Sequence, residues 1–132
     1  MSDKVLLIDD DPRLVEALQI RLQASGYVVH TAGSGTDGLE AARRIVPQAI
    51  ILDVNMPGMD GLEVCRMLRA EGQFGVTPII VMSAITHEGV RRAAIEAGAN
   101  QFMGKPYQAK QVMAAIQEAI EATRAVGEPR AA

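Results

Sequence analysis

The sequence predicts an α/β fold, a five-stranded parallel sheet with helices on both faces. Three observations lead there. Five short apolar runs alternate with amphipathic segments along the chain. The runs lack the polar–apolar alternation of a half-exposed strand, so they suit strands covered on both faces. Regular strand–helix alternation then implies a parallel sheet joined by right-handed crossovers.

The elements follow in order. Val5-Leu6-Leu7-Ile8 is the first apolar run, stopped by Asp9-Asp10-Asp11-Pro12. Pro12 suits the first position of a helix with an Asp before it as cap. Leu14, Ala17, Leu18 and Leu22 then recur at helical spacing, and Gly26 ends that helix. Residues 27–32 form the second strand, broken by Gly33-Ser34-Gly35. Leu39, Ala42 and Ile45 mark a second helix running up to Pro47. Ala49-Ile50-Ile51-Leu52 is the third strand, closed by Asp53. Residues 54–61 read Val-Asn-Met-Pro-Gly-Met-Asp-Gly, a loop by its turn residues. A third helix covers residues 62–70. Pro78 opens the fourth strand, residues 79–82, which ends at Ser83. A fourth helix runs from about Glu88 to Ala97 and stops at Gly98. Residues 101–104 are assigned to the fifth strand mainly by position, and Lys105-Pro106 ends it. Val112, Met113, Ile116, Ala119 and Ile120 stripe the fifth helix.

Composition narrows the function. The 132 residues fit one domain, expected over residues 1–125 with a flexible tail from 126 to 132. Net charge is −3, from 13 basic and 16 acidic residues, which argues against direct nucleic-acid binding. Two Tyr, two Phe and no Trp offer few stacking platforms. No apolar run approaches the roughly 18 residues of a membrane span, and the amino terminus carries no signal-peptide pattern. The single cysteine, Cys65, points to reducing cytosol, so a cytoplasmic location is expected.

The strand ends carry the chemistry. They are Asp9-Asp10, Asp53, Ser83 and Lys105, and in a parallel sheet they share one edge. Ligands of such sheets bind beyond the carboxyl ends, where strand order reverses. In order 2-1-3-4-5 that point falls between the first and third strands, and the three Asp residues converge. Clustered carboxylates repel and raise one another's pKa. A hard divalent cation relieves the repulsion, and oxygen ligands with open positions suit Mg²⁺. With a hydroxyl from Ser83 and a cation from Lys105, the edge is equipped to receive a phosphoryl group.

These residues resemble the receiver domain of bacterial two-component response regulators. The resemblance rests on the first strand with Asp9-Asp10, the stretch from Asp53 through Asn55-Met-Pro57-Gly58-Met-Asp60-Gly61, Ser83-Ala84, Gly98-Ala99 and Lys105-Pro106, and it covers about residues 4–123. It implies strand order 2-1-3-4-5 in a doubly wound, flavodoxin-like three-layer sandwich. It implies Asp53 as phosphoacceptor, and Asp10, Asp9, Asp53 and the Asn55 backbone carbonyl as Mg²⁺ ligands. Ser83 and Lys105 would hold the phosphoryl group, with a cis peptide at Lys105–Pro106. Ser83 and Phe102 would form the switch. The implied partners are a sensor histidine kinase or phosphotransfer protein, and a downstream protein reached through the helix four–strand five–helix five face, with homodimerisation on phosphorylation as an option. No enzymatic turnover is expected beyond self-phosphorylation from a phosphodonor and slow autodephosphorylation. A stand-alone chemotaxis-type regulator and a receiver cut from a longer protein both fit. Ser83 replaces the commoner Thr, Asn100 stands where Asp is frequent, and Ile85 is apolar at a variable position beside the site.

Plainer readings exist for each residue alone. Taken singly, the Asp before Pro12 reads as a helix cap, Ser83 as a partner for local backbone, and Lys105 as a surface lysine. Phe102 and Cys65 read as core, His30 and His87 as strand and loop residues, and Arg91-Arg92 as a solvated helix face. Three motif matches compete as well. Gly33-Ser-Gly35-Thr-Asp-Gly38 fits the dinucleotide fingerprint, with Asp53 as the later acidic residue. A small dinucleotide-binding protein is therefore the alternative, although it leaves Asp9-Asp10, Ser83 and Lys105-Pro106 unused. Asp53-Val-Asn55 begins like a calcium loop, but Pro57 and Val64 stand where ligands belong. The stretch from Gly98 to Lys105 is one residue too long for a P-loop, and Pro106 replaces the needed Ser or Thr.

Overall fold

The structure, a computed structural model, describes residues 2–127. Five parallel strands lie in the order β2-β1-β3-β4-β5. They are β1 (Lys4–Ile8), β2 (Val28–Ala32), β3 (Ala49–Asp53), β4 (Ile79–Ser83) and β5 (Gln101–Gly104). Between and after them run α1 (Pro12–Ala24), α2 (Gly35–Ile45), α3 (Gly61–Ala70), α4 (Glu88–Glu96) and α5 (Ala109–Gly127). The expected strand–helix series is all present, including the weakly patterned β5. A single 3-10 turn, Gly72–Phe74, was not expected. It buries Phe74 completely. Tyr27 lies outside β2, which starts at Val28. Helix α5 continues past the expected domain end at 125, and residues 128–132 of the expected tail lie outside the described residues.

Alternation along the buried strands makes two cores. Leu6, Ile8, Ile50, Leu52, Ile79 and Val81 face α2, α3 and α4, where Leu39, Val64, Leu68 and Ala94 meet them. Val5, Leu7, Ile51, Ile80 and Met82 face α1 and α5, against Leu18, Leu22, Val112 and Ile116. Burying one such side chain contributes about 1.5–3 kcal/mol, so sheet and helices are held on both faces. The strand register aligns Ile8 with Leu52 and Asp53 with Met82. That alignment brings the carboxyl ends of β1, β3 and β4 level. No helix among the described residues is long and apolar enough to cross a membrane.

Candidate functional site

The three consecutive aspartates after β1 take three different environments. Asp9 still belongs to the sheet, since its N–H donates to the Ala32 carbonyl at 3.1 Å. Its side chain is buried, and Oδ1 accepts the Asp11 N–H at 3.0 Å. Asp11 is the helix cap, with Oδ1 accepting the Arg13 N–H at 3.0 Å. Asp10 is exposed. The helix cap is therefore Asp11, and the Asp9 and Asp10 side chains are not used to cap α1.

Asp53 is the last residue of β3 and is buried. Asp9, Asp10 and Asp53 each offer a carboxylate oxygen, all within 4.8 Å of one another. Lys105 enters from the far side. Its N–H donates to the Ser83 carbonyl at 2.8 Å, and the Lys105–Pro106 peptide is cis. Its ammonium bridges Asp9 Oδ2 at 3.0 Å and Asp53 Oδ1 at 3.1 Å. Burial and the neighbouring Asp9 raise the Asp53 pKa, against the opposing pull of Lys105. Burial alone would lower the Lys105 pKa, but its bonds to Asp9 and Asp53 outweigh that and raise it. Three carboxylates and one ammonium leave two uncompensated negative charges. An all-oxygen donor set with that residual charge fits a hard divalent cation.

The loop after Asp53 is pinned at both ends. The Val54 N–H donates to the Met82 carbonyl, and the Gly61 N–H to the Val54 carbonyl, each at 2.9 Å. Met56 is buried and anchors the loop in the core, while Asn55 and the Pro57-Gly58 turn are exposed. Gly58 has φ +80°, a conformation that favours glycine. Asp60 caps α3 by accepting the Glu63 N–H at 2.9 Å. Gly61 is required for a different reason: a Cβ there would lie 2.1 Å from the Asp53 carbonyl oxygen. The α3 amino terminus thus packs directly on the backbone of the candidate nucleophile.

Ser83 is wholly buried at the end of β4. Its Oγ accepts the Ile85 N–H at 3.0 Å. Phe102 is half-buried against the core face carrying α2–α4. Thr86 lies over Gly104, where an added Cβ would meet the Thr86 methyl at 2.6 Å. His87 proves to be the N-cap of α4, with Nδ1 accepting the Val90 N–H at 3.3 Å. Cys65 is core, as its plainer reading held, and burial raises its thiol pKa.

The glycine motif at 33–38 does not form a cradle. A Cβ at Gly35 would meet Val64 at 2.9 Å, and one at Gly38 would meet Ile8 at 2.6 Å. These glycines let α2 approach the protein's own core, so the dinucleotide alternative finds no support.

Sequence reasoning missed Arg69. Its Nε–H donates to the Gly98 carbonyl at 2.9 Å, and Nη1 to the Phe74 and Thr77 carbonyls at 2.6 and 2.7 Å. Its Nη2 reaches Asn100 Oδ1 at 2.8 Å. Arginine in a last helical turn reads as a solvated cation. The available signals were Asn100 and Gly98 downstream, which no local pattern connects to α3.

A sequence model of the response regulator receiver domain matches residues 5–117. The chain belongs to the response regulator receiver domain family. Response regulator MprA of Mycobacterium leprae is 38% identical over 121 residues, 92% of this chain and 52% of that protein. DNA-binding response regulator MtrA of Mycolicibacterium smegmatis is 37% identical over 116 residues, 88% of this chain and 50% of that protein. The receiver chain thus spans about half the length of the curated relatives it matches. Among solved structures, chemotaxis protein CheY4 of Vibrio cholerae superposes with TM-score 0.86 at 30% identity, covering 90% of this chain and 99% of that one. The receiver domain of a sensor histidine kinase from Pseudomonas aeruginosa PAO1 superposes with TM-score 0.84 at 27% identity, covering 92% and 99%. That protein was solved with a magnesium ion coordinated in its active-site cleft.

Proposed function

We propose that this receiver domain takes a phosphoryl group on Asp53 from the phosphohistidine of a sensor histidine kinase or phosphotransfer protein. The observation that carries the reading is the Lys105 ammonium bridging Asp9 and Asp53, with Asp10 alongside. An Asp53 carboxylate oxygen forms the new bond to phosphorus as the P–N bond breaks, and the imidazole leaves. Asp9, Asp10, Asp53 and the Asn55 carbonyl would hold Mg²⁺, which supplies charge neutralisation of the phosphoryl oxygens. Lys105 exchanges its Asp53 contact for a phosphoryl oxygen. The Ser83 hydroxyl already accepts the Ile85 N–H, and it retains a proton to donate to the phosphoryl group. Drawing Ser83 inward therefore pulls the loop before α4 with it. Phe102 follows into the vacated space, and the face of α4, β5 and α5 changes for a downstream protein or a second copy of the chain. Turnover is limited to self-phosphorylation from a phosphodonor and slow autodephosphorylation. The proposed setting is the cytoplasm, and a net charge of −3 leaves nucleic-acid contact to other proteins or domains.

Incubation with Mg²⁺ and a small acyl or amido phosphate tests the reading. The expected result is a single phosphoryl mass gain that requires the metal. Dinucleotide binding with no such gain would refute it.

A further inference from the structure

We propose that α4 is a lever pivoted at its carboxyl end, with Arg69 as the positioning residue that fixes the pivot. The inference rests on the receiver reading and names how its switch is built. The two ends of α4 are held very differently. At the amino end, residues 84–89 are all exposed. Their non-helical hydrogen bonds among the described residues run only to Ser83 or to the first turn of α4 itself, where His87 accepts the Val90 and Arg91 N–H groups. Only Ala94 of α4 is fully buried. At the carboxyl end the chain is clamped. The Ala97 carbonyl accepts the Cys65 thiol at 3.4 Å, and the Gly98 carbonyl accepts Arg69 at 2.9 Å. Asn100 Oδ1 accepts both Arg69 Nη2 and the Ile79 N–H, each at 2.8 Å.

A guanidinium has five N–H donors in a rigid plane. Arg69 commits four hydrogen bonds from that plane, to the turn after α4, the 3-10 turn and the entry to β4. Its stem lies under Gly98, where a Cβ would sit 2.6 Å from Arg69 Cγ, and Gly98 itself has φ +109°. A lysine has a point charge in place of the planar fork and cannot replace this clamp. The free end, by contrast, is tied to the phosphorylation site through Ser83 Oγ and the Ile85 N–H. Force enters at one end while the other is fixed, so the response is rotation. At ~1.5 Å rise per residue, Glu88 lies about 15 Å and Glu96 about 3 Å from Gly98, so a rigid rotation moves Glu88 roughly five times as far.

The test is a pair of spin-label distances from Glu40→Cys on α2, one to Glu88→Cys and one to Glu96→Cys. Cys65, wholly buried, is left in place. Distances are compared with and without beryllofluoride and Mg²⁺, and uptake of a phosphoryl group is measured on the same samples. The expected result is a clear shift at 88 with little at 96. Arg69→Met should raise the shift at 96 toward that at 88. If Arg69→Met fails to fold, Asn100→Ala reads the same loss, and Asn100→Asp, which keeps the oxygen acceptor, should retain the gradient. Equal shifts at 88 and 96 in the unaltered background would overturn the lever while leaving the receiver reading intact. A gradient untouched by Arg69→Met or Asn100→Ala would overturn the role of Arg69. A protein that takes up no phosphoryl group would overturn both.

Discussion

Replacing Gly61 by alanine should damage phosphorylation more than its distance in sequence from Asp53 suggests. The added Cβ would stand 2.1 Å from the Asp53 carbonyl oxygen, where ordinary van der Waals contact begins at 3.4 Å. One of the two groups must move by the difference, about 1.3 Å. Neither is free. Gly61 opens α3 and donates its N–H to Val54, while Asp53 is the end of a fully buried central strand. Overpacking of this kind costs about 1–3 kcal/mol. Misplacing a reacting group by ~1 Å can cost about a hundredfold in rate. We therefore expect Gly61→Ala to slow Mg²⁺-dependent phosphorylation by about a hundredfold and to lower stability by about 1–3 kcal/mol. Mass spectrometry over time with a small phosphodonor gives the rate, and denaturant unfolding gives the stability. A variant that phosphorylates at the original rate with unchanged stability would refute the close packing of α3 on Asp53.

Three further outcomes are expected. Mg²⁺ should raise the melting temperature, contributing about 2.7 kcal/mol at a hundredfold excess over Kd, and Asp10→Ala should remove most of that gain. Burial and Asp9 raise the Asp53 pKa, so folding favours its protonated form and ionisation costs stability as pH rises from the ordinary carboxylate value through the raised one; Asp53→Asn should stabilise the metal-free protein at neutral pH, with the advantage fading as pH falls through the raised pKa toward about 4. Ile85 is 49% exposed beside the site and has no polar group to orient a water, so Ile85→Glu or Ile85→Gln should speed loss of phosphate, read as decay of the phosphorylated protein with Mg²⁺ and no partner.

Much of this was legible from the chain. Apolar runs of four gave the central strands because β1, β3 and β4 are covered on both faces, which leaves a continuous signal. β5 was weak because all four of its residues are half-buried at a sheet edge. Asp9, Asp53 and Lys105 could be grouped because each ends a strand, and parallel strands share an edge. The division of labour among Asp9, Asp10 and Asp11 was not legible, since it depends on which N–H each carboxylate meets. Gly61 was read as a turn residue, whereas its need arises from backbone 8 residues earlier in the chain. Arg69 was invisible for the same reason, since its partners lie 5 to 31 residues away and are mostly backbone carbonyls. His87 looked ordinary because its capping role needs the start of α4 to be fixed to the residue.

The central claim is that Asp53 is the phosphoacceptor. Borohydride reduction of the phosphorylated protein, followed by peptide mass spectrometry, tests it most directly. An acyl phosphate on Asp53 reduces to homoserine at position 53, and Asp53→Asn should take up no phosphoryl group while keeping its fold. Reduction at another residue, or undiminished phosphorylation of Asp53→Asn, would contradict the account.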